Sequence, residues 1–194
     1  MSAPAMAGYA LGHAPTSPVT SPDLDQLLAS ALFDDADRTA LRRAGALLDG
    51  QIEDLLDVWY GFVGSQPHLL AHFATPDGQP IDDYLARVRG RFGQWVRDTC
   101  AAEYDQAWVD YQHEIGRRHA RAAKNTTDGA DSTAYVPWRH LIALVAPITL
   151  TVRPFLAQRA TPEDDVEAMM AAWLKAVVIQ VALWSMPYVA DGQW

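Results

Sequence analysis

The segment that decides the fold spans residues 104–119 and reads YDQAWVDYQHEIGRRH. With ~100° between successive residues of an α-helix, one sector of about 80° contains Tyr104, Trp108, Tyr111, Ile115 and His119. The segment therefore predicts an amphipathic helix, over residues 104–124, that buries an aromatic stripe. It also predicts that an imidazole lies on that same buried stripe.

His119 can be explained in two ways. A buried neutral imidazole has two ring nitrogens to satisfy, and a metal ion is one possible partner. The other explanation is an ordinary core histidine bonded to a backbone carbonyl. The neighbouring Arg117, Arg118 and Arg121 either bind carboxylate groups near the histidine or form a solvated face, which suits the C-terminal end of a helix.

The rest of the chain is also predicted to be helical. A Pro- and Ser-rich arm, residues 1–22, precedes a single helical domain, residues 23–194. Apolar residues with helical spacing predict helices on both sides of Asp34-Asp35, over residues 52–63, over Asp82–Ala101 and over residues 137–155. Thr161-Pro162 predicts the start of a final helix. The fold class is all-α.

The last two predicted helices are apolar on nearly all faces. A helix of that kind must be buried all round. Because a domain of this size has room to cover only part of each helix, we expect the remaining apolar surface to be covered by a second copy of the chain. The sequence therefore predicts a homodimer formed through these two helices.

Composition excludes several classes of partner. The formal net charge of −9 argues against nucleic acid, whose phosphates require clustered Lys and Arg. The single cysteine excludes an intramolecular disulfide and a Cys-rich zinc site. The longest uncharged apolar run, residues 141–152, is shorter than the ~20 residues that span a bilayer, and the N-terminus does not have the pattern of a secretory signal. We expect a cytoplasmic protein that does not bind membranes.

Two further patterns leave their interpretation open. His68 and His72 are four residues apart and could hold a metal from one helix face, but no suitably spaced third carboxylate or cysteine accompanies them. The chain has seven Trp, seven Tyr and five Phe. Such a number of aromatic side chains either encloses a planar ligand or simply fills a dense core.

Several blocks of the sequence, in order along the chain, resemble the protoglobins, single-domain globins related to the sensor domains of globin-coupled sensors. The resemblance extends from about Gly8 to the C-terminus. The blocks are WYGFVGS (59–65), TC (99–100), YDQAW (104–108), DYQHEIG (110–116) followed by Arg118 and His119, PIT (147–149) and VALWS (181–185). It implies a globin fold with an extra N-terminal helix and an extended N-terminal arm.

The resemblance also implies haem b (iron protoporphyrin IX) and assigns the site residues. His119 becomes the iron ligand, and Tyr60 becomes the hydrogen-bond donor to a bound gas. Trp59 is implied as a gate on the access route, and Phe92 with Val88 as the distal ceiling. Arg91 is implied as a partner of a haem propionate, and Leu141, Leu144 and Ile148 as further pocket lining. Without the resemblance, the aromatic residues would be interpreted as ordinary core residues and Arg91 as a surface arginine.

The function implied is reversible binding of diatomic gases, O2, CO or NO, at a His-ligated haem iron. A haem enzyme, acting as an NO dioxygenase or in a peroxidase-like reaction, is one alternative. A gas sensor that acts through a separate partner is another. A cofactor-free helical interaction module would contain the same apolar helices.

Overall fold

The computed structural model describes residues 6–190 and 192–194, so the first five residues of the predicted arm lie outside the described residues. The all-α prediction is confirmed, since the β pairing among the described residues is a single isolated bridge between Ala74 and Pro80. The α-helices are α1 (Ser21–Ser30), α2 (Asp35–Leu48), α3 (Ile52–Gly64), α4 (Pro67–Leu70), α5 (Asp82–Ala101), α6 (Gln106–His119), α7 (Trp138–Ala143), α8 (Val145–Arg159) and α9 (Val166–Ser185). Short 3-10 turns follow α4 and α9, at Ala71–Phe73 and Met186–Tyr188.

The break predicted at Asp34-Asp35 is a helix boundary. The Asp34 side chain accepts hydrogen bonds from the backbone of Ala36 and Asp37, and Asp37 in turn accepts from the Asp34 backbone. This capping box satisfies backbone donors that the first turn of α2 would leave free. Thr20 and Asp23 form the same arrangement at the start of α1.

Helix α9 forms the centre of the core. Its side chains Trp173, Ile179 and Leu183 are fully buried, and the helix packs against α2, α6 and α8. By length and composition alone, Trp138–Arg159 and Val166–Tyr188 are apolar enough to cross a membrane, with mean hydropathies of 1.6 and 1.7. In α9 the apolar residues form part of the protein core, because 56% of its most apolar stretch is buried inside the chain.

Two glycines allow helices to approach closely. A Cβ at Gly116 of α6 would lie 2.8 Å from the Cα and 3.0 Å from the carbonyl oxygen of Trp184 in α9. A Cβ at Gly45 of α2 would lie 2.8 Å from the Cβ of Cys100 in α5. All three distances are below ordinary van der Waals contact, so these helix pairs could not keep their spacing with any larger residue at either position.

Helix α6 ends earlier than predicted. It stops at His119, and Ala120 adopts an extended conformation. The His119 carbonyl accepts from the backbone of Val136 instead of continuing the helix. Residues 120–124 favour a helix by intrinsic propensity, so tertiary contacts, including the buried Lys124, override that propensity here.

The helix predicted over residues 137–155 is divided at Leu144 into α7 and α8. Pro147 explains the division. A proline has no backbone N–H, and its ring clashes with the carbonyl four residues earlier, here that of Ala143. The chain therefore restarts its helix just after Ala143.

The final helix begins later than predicted. Thr161 and Asp164 form a turn, in which the Asp164 carboxylate accepts from the backbone N–H of Thr161. Asp164 also forms an ion pair with Arg43 of α2. The N-cap is Asp165, which accepts from the backbone of Ala168, so the helix starts at Val166.

The described part of the N-terminal arm packs against the helices. The Tyr9 hydroxyl donates to the Asp98 carboxylate over 2.9 Å, and the Tyr9 ring meets the edge of the Tyr111 ring. Further along, the Ser17 backbone donates to Asp110, and Val19 is 1% exposed. The arm thus contacts both α5 and α6.

Candidate functional site

A cavity of about 240 Å³ lies between α3, α5, α6, α7, α8 and α9. Its wall contains all the site residues predicted from the sequence: Trp59, Tyr60, Val88, Arg91, Phe92, His119, Leu141, Leu144 and Ile148. The fold therefore brings together residues that are far apart in the sequence. Their roles toward a cofactor remain predictions.

His119 is held in one tautomer. Its Nδ1 lies 2.8 Å from the carbonyl oxygen of Ile115, one turn earlier in α6. A carbonyl can only accept, so Nδ1 must carry the hydrogen and Nε2 must carry the lone pair. Burial lowers the pKa of His119 to about 4, which keeps the ring neutral at physiological pH. Among the described residues no hydrogen bond reaches Nε2.

Trp184 of α9 fixes the plane of the His119 ring. The two rings stack with centroids 5.6 Å apart and an interplanar angle of 20°. The Trp184 Nε1–H donates to the Gln112 Oε1 over 2.9 Å, and Gln112 is 1% exposed. The close passage of α6 at Gly116 brings these groups together. Sequence reasoning assigned no role to Trp184, because its contact with His119 joins two helices that are distant in sequence.

Aromatic rings from α3 and α5 form another part of the wall. The Phe92 ring stacks on Trp95 at 5.1 Å and contacts Trp59 at 5.6 Å. The Tyr60 ring meets Phe92 edge-on, with centroids 6.3 Å apart. Burial raises the pKa of the Tyr60 hydroxyl well above its usual range, so this group stays protonated. No hydrogen bond reaches the hydroxyl among the described residues, which leaves it free to donate.

Arg91 already has protein partners. Its guanidinium makes two contacts to the Asp128 carboxylate, at 3.1 and 2.5 Å, and donates to the Ala7 carbonyl of the arm over 2.9 Å. The bidentate arrangement matches the planar fork of arginine to the carboxylate. Arg91 is therefore not a free surface arginine, although these contacts use only three of its five N–H groups.

The cavity wall also carries polar side chains that the sequence did not assign to a haem pocket. Lys124 is 7% exposed and donates to the Tyr84 hydroxyl over 2.8 Å. His72 binds Thr133 Oγ1 through Nδ1 at 2.6 Å, while its buried Nε2 has no partner. Lys124 and His72 lie on loops or short turns, where no helical periodicity indicates which side chains point inward.

In the folded chain a third histidine lies near His68 and His72. The His140 ring of α7 lies 5.1 Å from the His68 ring and 6.4 Å from the His72 ring, centroid to centroid. Even so, no group of three His, Cys, Asp or Glu residues with spacing suited to a metal ion occurs within residues 6–190 and 192–194.

Comparisons with known proteins agree with this architecture. A family model described as Protoglobin matches residues 20–194. Among solved structures, the globin domain of a Geobacter sulfurreducens globin-coupled sensor has a TM-score of 0.67 to this chain. That likeness covers 86% of this chain and 97% of the sensor domain at 16% sequence identity, so it shows a shared fold. The predicted globin fold is confirmed.

A curated protein, the uroporphyrinogen decarboxylase of Maricaulis maris, is 42% identical over 59 residues. The matched stretch covers 28% of this chain and 16% of the decarboxylase. A local likeness of this extent carries no activity over to the chain.

Proposed function

Because this chain belongs to the protoglobin family, we propose that it holds haem b through the Nε2 atom of His119 and reversibly binds a diatomic gas, O2, CO or NO. Family membership supports a globin-type role in haem and gas binding. The ligand atom and the gases are the specific part of the proposal. The observation that carries it is the tautomer of His119.

The residues of the cavity fit a haem. A histidine that ligates iron normally donates its other ring N–H to a second-shell acceptor, which orients the ring. Here the Ile115 carbonyl is that acceptor, and the lone pair remains on Nε2 beside the cavity. A core histidine could make the same bond to a carbonyl, so the haem proposal is favoured by a second observation, namely that the His119 ring lines the cavity. A wall of aromatic and aliphatic side chains suits the flat, apolar face of a porphyrin.

The side chains around the cavity have separate roles in this proposal. Haem iron, when bound, supplies an open coordination position for the gas. The Tyr60 hydroxyl donates a hydrogen bond to the gas, worth about 0.5–1.5 kcal/mol. Trp59 and Phe92 exclude water beside it. Val88, Leu141, Leu144 and Ile148 supply apolar contacts to the ring system.

The replacement His119→Ala tests the proposal directly. Wild-type protein reconstituted with haem should show a Soret band that shifts when the ferrous protein binds carbon monoxide. His119→Ala should lose stable haem binding, because it removes the iron ligand. His113→Ala is the matched control, since His113 lies on the same helix but does not line the cavity. Identical haem content and spectra for His119→Ala and wild type would refute the assignment.

Two alternative functions, gas sensing and haem enzyme activity, require different features of the chain. Sensing through a separate partner is the second candidate, because the similar solved structure is the globin domain of a sensor. A peroxidase-like enzyme needs an acid–base group near the iron. His72 also lines the cavity, but its Nδ1 is engaged by Thr133 and its Nε2 is buried. Rapid catalytic turnover with a physiological reductant would favour the enzyme over gas binding.

We also propose that two copies associate through the last two long helices. Large apolar side chains remain exposed there: Leu150 of α8 by 68%, and Leu174 and Val178 of α9 by 43% and 45%. Leu174 and Val178 are four residues apart and so share one face of α9. Exposed apolar surface of this kind is typical of an interaction site.

Light scattering after size-exclusion chromatography tests this association. Wild type should have twice the mass of the chain, and Val178→Glu should shift the population to monomer. Val58→Glu is the matched control, because Val58 is 53% exposed but belongs to α3 and not to either of the two helices. A monomeric wild type at all working concentrations would contradict the proposal.

A further inference from the structure

A polar corner of the cavity is built around Lys124. We call it the Lys124 corner and define it as Lys124, Tyr84, Ser132 and the carbonyl of His72. The Lys124 Nζ donates to the Tyr84 hydroxyl at 2.8 Å, to Ser132 Oγ at 2.9 Å and to the His72 carbonyl at 3.3 Å. Lys124 and Tyr84 both line the cavity. A buried ammonium therefore lies at the wall of the cavity, and its three hydrogen-bond acceptors are all neutral.

The other cations of the cavity wall already have carboxylate partners. Arg91 is paired with Asp128. Arg118 is paired with Glu114 at 2.9 Å and also donates to the Gly8 carbonyl. Among the described residues, no carboxylate lies within ion-pair distance of Lys124. The Asp128 carboxylate is instead engaged by Arg87 and Arg91.

The Lys124 corner thus gives the ammonium hydrogen bonds but no contact with an opposite charge. Burying a charge costs free energy, and hydrogen bonds to neutral groups offset only part of that cost. The corner also holds an unused donor. The Tyr84 hydroxyl accepts from Lys124, but its own hydrogen has no acceptor among the described residues. Burial raises the pKa of Tyr84 to about 12, so the hydroxyl keeps that hydrogen. All three ammonium hydrogens already have neutral acceptors, and the longest of these contacts is the one of 3.3 Å to the His72 carbonyl. An anion that accepts from the Tyr84 hydroxyl could replace that long contact and compensate the charge.

We propose that the Lys124 ammonium and the Tyr84 hydroxyl together bind a carboxylate of the ligand in the cavity, namely a haem propionate. This assignment rests on the proposed haem function. It differs from the role that the sequence resemblance gave to Arg91. In this arrangement Arg91 holds the arm and the loop at Asp128 in place, while Lys124 neutralises the ligand.

Haem loss to an excess of an acceptor apoglobin tests the subsite. The rate is measured for haem and for haem dimethyl ester, which has no carboxylate, in wild type and in Lys124→Met. Lys124→Met should release haem about 10- to 100-fold faster than wild type, since it removes a charged hydrogen-bond partner. For the ester the two proteins should release at similar rates. Arg121→Met is the matched control, because it removes an exposed cation of the same loop that does not line the cavity.

Each result decides between explanations. Equal haem release by Lys124→Met and wild type overturns the subsite. An equal acceleration for haem and ester also overturns it, since Lys124 would then act only on packing. Wild type that takes up no haem at all overturns the proposed function itself, which distinguishes the two failures.

A second variant covers the case in which Lys124→Met does not fold. Tyr84→Phe keeps the aromatic packing and removes only the hydroxyl. It should accelerate the release of haem more than the release of the ester, and no such difference would overturn the subsite. Denaturation of the haem-free proteins shows whether each variant still folds, so that a change in haem release can be assigned to the lost group.

Discussion

Replacing Gly116 by alanine should separate α6 from α9 and so disturb both stability and the site. The added Cβ would lie 2.8 Å from the Trp184 Cα and 3.0 Å from its carbonyl oxygen. Both atoms belong to the backbone of α9, so no side-chain rotation relieves the contact. The helices must move apart, and overpacking of this kind costs about 1–3 kcal/mol.

The intrinsic helix preference of alanine acts in the opposite direction. In a helix interior, glycine is about 1 kcal/mol less favourable than alanine. The replacement Gly61→Ala on α3 measures that gain alone, because a Cβ there meets nothing within 4 Å. The difference in unfolding free energy between Gly116→Ala and Gly61→Ala should therefore equal the cost of overpacking, about 1–3 kcal/mol.

Urea denaturation followed by far-ultraviolet circular dichroism gives both unfolding free energies. If Gly116→Ala is as stable as Gly61→Ala, the close approach of α6 and α9 is refuted. A second readout concerns the site. The His119 ring stacks on Trp184, so displacing α6 should also speed the loss of haem from Gly116→Ala, whereas Gly61→Ala should retain it like wild type.

Two further predictions follow from buried titratable groups. Cys100 is 3% exposed, and burial raises its pKa to about 12. A thiol reagent should therefore label Cys100 only after denaturation. Rapid labelling of the native protein would contradict this prediction. Burial lowers the pKa of His72 from 6.5 to about 4. Between these values the unfolded chain binds a proton that the folded chain does not, so the haem-free protein should lose stability as the pH falls through this window. His72→Leu should lose less stability over the same window in denaturation curves, and an unchanged loss would show that other groups cause it.

Much of the fold could be predicted because local signals and tertiary packing agree. In α5, apolar spacing predicts the helix over Asp82–Ala101, which is where it lies. At residues 120–124 the two disagree. The residues there favour a helix, but packing requires Lys124 to turn inward. Periodicity along one segment does not contain that information.

The candidate site shows the same division. His119 could be singled out because its helix carries an aromatic stripe, and the family resemblance gave Tyr60, Phe92 and Arg91. The Trp184 stack and the Lys124 corner could not be predicted, because each depends on how segments distant in sequence meet. The partner of Arg91 was also beyond reach, since Asp128 lies on a loop without a regular pattern.

The N-terminal arm has a practical consequence for anyone who expresses this protein. The family match starts at residue 20, and a gene trimmed to that boundary would omit Gly8 and Tyr9. Arg118 would then lose the carbonyl of Gly8, and Asp98 would lose the hydroxyl of Tyr9. If such a shortened protein were unstable or lost haem quickly, the missing arm would be the cause. The result would then say little about the affinity of the whole chain for haem.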